Sequence, residues 1–197
     1  MKKIVLTGGP CAGKTSVLDT LRFEFADKAL VVPEVATLLL SGGFPVPGKD
    51  IEWTPAWQKA FQSAVLPVQI QLEDAYAIKA EQKGINLLIC DRGLLDGGAY
   101  TPGGQSEFCK IYDVDLQEAL GRYAAVLHLE SLATGKPELY GKANNTNRFE
   151  GLEEAVHLEQ ATRDAWQGHP HWTLLNCEQG IERKISTAIT VVLSLLE

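Results

Sequence analysis

The sequence has no paired cysteines, no excess of positive charge and no long apolar run, and each absence removes a class of protein. Its four cysteines, Cys11, Cys90, Cys109 and Cys177, are scattered without CxxC spacing. Neither a zinc site nor a disulfide framework is therefore expected, and a reducing, cytoplasmic setting fits. Lysine and arginine number 18 against 25 aspartates and glutamates, giving a formal net charge of -7. A chain built to grip a nucleic-acid backbone usually carries a basic face, so nucleic acid is not the expected partner. The longest apolar stretch, Ala188 to Leu196, is interrupted by Thr190 and Ser194 and is about half of what a bilayer-spanning helix needs. No membrane segment is expected. The opening Met1-Lys2-Lys3-Ile4-Val5-Leu6 imitates a secretion signal, but its apolar run stops at Thr7-Gly8-Gly9, too soon to be one. His128, His157, His169 and His171 show no metal-ligand spacing and are expected to be structural or at the surface.

What is present is ordinary globular material: 197 residues, 45% hydrophobic and 22% charged, enough for one domain with an ample core. Short β-branched runs alternate with longer helical patterns, the signature of βα units and a parallel sheet. Strands are expected near 3–7, 29–33, 85–91, 123–129 and 171–176, each an almost continuous apolar run as in a sheet covered on both faces. Helices are expected near 13–25, 55–82, 113–122, 150–167 and 179–196; the second opens at Thr54-Pro55, a capping residue followed by proline at the first helical position. Two segments read as functional loops: Ser41 to Asp50, rich in glycine and proline, and Ser131 to Asn147, polar and punctuated by Gly135, Pro137 and Gly141.

The strongest signal is Gly8-Gly9-Pro10-Cys11-Ala12-Gly13-Lys14-Thr15, which fits GxxxxGK[ST] at every fixed position between a strand and a helix. Glycines let successive backbone N–H groups converge on phosphate oxygens, and the helix N-terminus opening at Lys14-Thr15-Ser16 adds its partial positive charge. Lys14 would reach the β and γ phosphates of ATP, and the Thr15 hydroxyl would serve Mg2+, a hard cation that prefers oxygen.

Sites in open parallel sheets lie beyond the C-terminal strand ends, where two acids stand: Glu34 after the second strand and Asp91 after the third, the latter followed by Arg92. An acid there can hold the water shell of magnesium or take a proton from an attacking hydroxyl. Asp91 is the expected catalytic and metal-serving acid, Arg92 its phosphate-holding neighbour, and Asp96 the alternative carboxylate. Arg148, in a first helical turn where a cation opposes the helix dipole, is expected to close over phosphates from the lid. Arg163 is a weaker candidate of the same kind, because Glu159 lies four residues before it and an ion pair explains it equally well. Trp53, Trp57 and Phe61 recur every four residues, with Gln58 and Gln62 interleaved; such a stripe is either core or the wall of a substrate cavity.

With GGPCAGKT, VVPEVA and CDRG on the page, the sequence resembles small P-loop kinase-like ATPases related to the ribosylnicotinamide kinase domain, over nearly its whole length. More distantly it is similar to deoxynucleoside kinases. In those, an acid after the second strand contacts the sugar hydroxyl, a Phe-Gln pair meets the base and a charged-Arg element follows the third strand; Glu34, Phe61-Gln62 and Asp91-Arg92 match. The resemblance implies an α/β P-loop NTPase sandwich, with a five-stranded parallel sheet of order 2-3-1-4-5, helices on both faces and a lid after the fourth strand. Asp-Arg-Gly stands where deoxynucleoside kinases usually carry Glu-Arg-Ser, and of their basic lid only Lys136 and Lys142 occur between Ser131 and Asn147. The expected function is ATP-dependent phosphoryl transfer to a small hydroxylated, nucleoside-like or nucleotide-like acceptor, with Glu34, Trp57, Phe61, Gln62 and Arg163 on the acceptor side. The alternative is an ATP-hydrolysing switch acting through a protein partner.

Overall fold

A computed structural model describes residues 1–140, 151–178 and 180–196. Five strands, β1 (Lys2–Thr7), β2 (Leu30–Val32), β3 (Leu87–Asp91), β4 (Ala125–Leu129) and β5 (Trp172–Leu175), form one sheet in the order β2-β3-β1-β4-β5. Every pairing is parallel, with Leu6 opposite Asp91 and Thr7 opposite His128 at the C-terminal edge. The sheet order, with helices on both faces, is the one the resemblance implied.

Alternation along β1 divides the core in two. Ile4 and Leu6 face one side, packing with Val17, Leu21, Ala188 and Val192. Val5 faces the other, with Leu95, Phe108, Tyr123 and Trp166. The first side is covered by α1 (Lys14–Glu24) and α8 (Gly180–Leu196), the second by α3 (Pro55–Gln82), α4 (Gly104–Ile111), α5 (Leu116–Gly121) and α7 (Leu152–Ala165). Burial on both faces is why the strands are apolar throughout.

Several elements differ from the sequence expectation. A short helix, α2 (Val35–Ser41), starts immediately after Glu34, and a 3-10 segment, Leu94–Tyr100, follows β3. Helix α4, not among the expected helices, opens at Gly104 with Gly103 as its N-cap, both with positive φ, and has no side-chain cap. Helix α5 is shorter than the expected 113–122 because Asp115 accepts a hydrogen bond from the Glu118 N–H and fixes its start. The long α3 begins where the sequence placed it: Thr54 caps the Trp57 N–H and Pro55 is its first residue. After β4 come α6 (Leu132–Gly135) and a 3-10 turn, Pro137–Leu139; the rest of the expected lid, with Arg148, lies outside the described residues. Among the described residues no helix is long and apolar enough to cross a membrane.

Candidate active site

The phosphate loop leaves β1 at Thr7 and returns as α1 at Lys14. Cys11 and Gly13 have positive φ, 58° and 87°, and residues of this hand between ordinary ones curl consecutive N–H groups into an anion-binding concavity. Thr15 and Ser16 are exposed at the first turn of α1. Gly9 is needed for a different reason. A Cβ on it would stand 2.8 Å from Oε2 and 3.0 Å from the Cα of Glu159, so α7 packs directly on the loop, and the Gly9 N–H donates to Glu159 at 2.9 Å. That N–H is therefore committed to the protein rather than to phosphate.

Four charged groups converge on Lys14. Burial and Arg92 lower its pKa, only partly offset by Glu34, Asp91 and Asp96, leaving it at about 8. Asp91 moves the other way: burial raises it to about 6 despite Lys14, and its Oδ1 is buried with no hydrogen-bond partner. A buried, unpaired carboxylate oxygen beside the loop lysine is a fitting acceptor for a water of magnesium.

Asp96 is differently placed. Its Oδ1 accepts from Thr7 Oγ1 (2.5 Å) and Arg92 (2.9 Å), and its Oδ2 from the Gly93 N–H (2.9 Å) and Trp166 Nε1 (3.1 Å). Four donors fill the lone-pair directions of a carboxylate. Asp96 thus ties the end of β1 to the turn after β3 and to Trp166 at the end of α7.

Arg92 follows in the left-handed region, φ 68°, a conformation that costs a non-glycine residue about 1 kcal/mol or more. The strain aims its side chain back across the strand ends, where Nε meets Glu34 at 2.7 Å and Nη1 meets Asp96 at 2.9 Å, with the Tyr100 ring 5.8 Å away. Burial alone would raise the pKa of Glu34, but Arg92 and Lys14 outweigh it and hold the carboxylate below its ordinary value.

Glu34, Arg92 and Asp96 form the charged end of a cavity of about 310 Å³. Its walls include Trp57, Phe61, Gln62 and Tyr100. Trp57 and Phe61 are stacked, 4.9 Å between centroids and 15° between planes, and Phe44 meets Phe61 edge-on at 5.1 Å. Trp57 Nε1 donates to the Pro45 carbonyl at 2.9 Å, which pins the glycine-rich loop against α3. Trp53 remains half exposed, at 56%, outside the cavity. Gln62 is buried and lines the cavity.

Residues 3–183 match the model of an AAA domain family. The chain belongs to that AAA domain family. No curated protein sequence matches it. Among solved structures, this AAA domain is similar to deoxyadenosine kinase from M. mycoides. The structure with products dCMP and a flexible dCDP bound gives a TM-score of 0.63 at 15% identity, covering 98% of this chain and 99% of that one. The structure with bound dATP gives 0.52 at 14%, covering 96% and 98%. Identities this low establish a shared fold, the P-loop kinase-like sandwich.

Asp91 does not line the cavity, whereas Glu34 does. Arg163 does not line it either: its guanidinium is held by Glu159 (3.1 Å) and Glu130 (2.9 Å). It braces Glu159, whose carboxylate also binds His128 at 2.8 Å and the loop at Gly9. The i,i+4 spacing announced the ion pair, but nothing local announced that Glu159 would be 1% exposed.

Proposed function

We propose that the chain transfers the terminal phosphoryl group of ATP to a hydroxyl of a nucleoside-like acceptor held in the cavity between α2, α3 and the 3-10 segment. The reading is carried by one juxtaposition: a cavity of about 310 Å³ whose charged lining residues, Glu34, Arg92 and Asp96, lie beside Lys14. An aromatic wall with a buried amide suits a flat polar ring, and a carboxylate suits hydroxyls.

Lys14 and the loop N–H groups hold the phosphates. Thr15 and, through a water, Asp91 would hold a magnesium ion, which would supply charge neutralisation for the transferred group. Glu34 orients the acceptor hydroxyl and accepts its proton. Arg92 keeps Glu34 ionised and offers a cation to the arriving phosphoryl oxygens. Because transition states of this kind are loose, positioning contributes more than base strength, and a carboxylate of low pKa suffices.

Radiolabelled ATP with a panel of deoxynucleosides, nucleosides, nucleotides and nicotinamide riboside tests the reading. At least one member should accept phosphate, and Gln62→Ala should raise its KM about tenfold, the scale of one lost hydrogen bond, with ATP binding unchanged. No labelled product, with ATP hydrolysis stimulated only by a protein partner, would replace the kinase by the switch.

Binding of MgATP should also take up protons near pH 8. Phosphate oxygens favour the charged form of Lys14, so its pKa rises from about 8 on binding, and affinity should fall as pH climbs past that value. Calorimetry in two buffers of different ionisation heat measures the uptake; identical heats at pH 8 would mean Lys14 is fully protonated without ligand.

A further inference from the structure

Helix α8 buries a stripe of residues at four-residue spacing, Lys184, Ala188 and Val192, and the first of them is a lysine only 4% exposed. Its Nζ donates to the Ala12 carbonyl (3.0 Å), the Glu130 carbonyl (2.6 Å) and Cys177 Sγ (3.2 Å). Three neutral acceptors surround a buried ammonium and no carboxylate is among them, although a buried cation ordinarily demands a counter-charge.

The Ala12 carbonyl is one of three consecutive loop carbonyls that accept hydrogen bonds from the rest of the protein. The Pro10 carbonyl accepts from Ser131 Oγ, and the Cys11 carbonyl accepts from the Leu132 N–H at 3.4 Å. Among the described residues all peptide bonds are trans, and in a trans peptide the N–H points opposite to the C=O. Fixing the carbonyls of Pro10, Cys11 and Ala12 against the start of α6 and against α8 therefore turns the N–H groups of Cys11, Ala12 and Gly13 the other way. The Ala12 and Gly13 N–H groups have no hydrogen-bond partner among the described residues.

We infer that Lys184 is a positioning residue for the phosphate loop: it holds the Ala12–Gly13 peptide with its N–H aimed at phosphate and places a positive charge one peptide unit behind that donor. The ammonium polarises the C=O it binds, which strengthens the N–H of the same peptide as a donor. Its counter-charge is the ligand phosphate, reached through the peptide. Ser131 acts alike on the Pro10–Cys11 peptide without the charge. The inference rests on the reading that this loop binds ATP.

The test compares wild type, Lys184→Met and Ser131→Ala by calorimetry with MgATP and with magnesium tripolyphosphate, alongside thermal melts without ligand. Lys184→Met should lose about tenfold or more in affinity, the scale of a charged hydrogen bond. Ser131→Ala should lose about threefold. In each variant the factor should be the same for ATP and tripolyphosphate, because the defect is in the phosphate cradle. A generally loosened fold would instead lower the unliganded melting temperature without a matching loss for both ligands. Wild-type affinity in a folded Lys184→Met protein overturns the inference. Should that variant not fold, wild-type affinity in Ser131→Ala overturns it. A wild-type protein that binds neither ligand removes the phosphate-loop reading itself and the inference with it.

Discussion

Replacing Lys14 by methionine should abolish the rise in melting temperature that MgATP gives the wild type, while raising the melting temperature of the unliganded protein at pH 7. Lys14 has a folded-state pKa of about 8 against an ordinary value of 10.5, so the unfolded chain holds the proton more tightly than the native one. Stability then increases with pH between about 8 and 10.5, and below 8 the charged lysine carries its full penalty. That penalty is on the order of 3 kcal/mol. Asp91 takes back a part of the gain, because Lys14 is what restrains its pKa. A net gain of about 1 kcal/mol corresponds to roughly 2–4 °C in a chain of this size. Differential scanning fluorimetry across pH 6 to 10 measures both effects. An unliganded variant melting below the wild type at pH 7 would mean that the ammonium is well solvated, and a retained MgATP shift would remove Lys14 from the phosphates, since linkage vanishes with affinity.

The same lysine shows what was legible in the chain. A phosphate loop is written in local chemistry, a strand, a glycine turn and a helix start, and could be read directly. So could the start of α3, because Thr54-Pro55 is a local signal for a local event. Sheet order was available only through resemblance. The pairings that make the site cross the sequence: Glu34 to Arg92 over 58 residues, Thr7 to Asp96 over 89, Gly9 to Glu159 over 150 and Ala12 to Lys184 over 172. Periodicity carries no record of such contacts. Asp91 is the expected acid and Asp96 its fallback, one ending β3 and the other five residues on; counting donors separates them, four on Asp96 and none on Asp91 Oδ1. Lys184 had a trace, a cation inside an otherwise apolar helical stripe, but such a residue reads as easily as a chain snorkelling to water.

Short elements were the least visible. Helix α2 has seven residues, three of them consecutive leucines, and no alternation of apolar and polar residues marks a face. Yet its position matters, because it begins at the residue after Glu34 and Val35, Ala36 and Leu40 close one wall of the cavity. The chain turns into a helix there and leaves Glu34 at its N-cap position, where Thr37 Oγ1 donates to the carboxylate.

From that geometry Glu34→Gln should lower turnover by about a hundredfold or more, with MgATP affinity held within about threefold of wild type. The amide keeps the shape and loses the charge that orients the acceptor hydroxyl and receives its proton. It also leaves Arg92 with Asp96 as its remaining carboxylate partner, so the substitution should cost some stability as well. Asp91→Asn should behave differently. It removes a carboxylate whose ionised form is disfavoured by burial, so the unliganded protein should become more stable above pH 6, while the magnesium requirement for ATP binding worsens. The pH profiles separate the two roles. Asp91 titrates at about 6, so wild-type activity at limiting magnesium should fall as pH drops through that value and recover with added magnesium. In Asp91→Asn this acid limb should disappear. In Glu34→Gln it should persist on a uniformly lower rate, because Glu34 itself stays ionised well below pH 6. Steady-state rates from pH 5 to 8 at two magnesium concentrations decide between them: an acid limb lost in Glu34→Gln and kept in Asp91→Asn would exchange the two assignments and return the proton to Asp91.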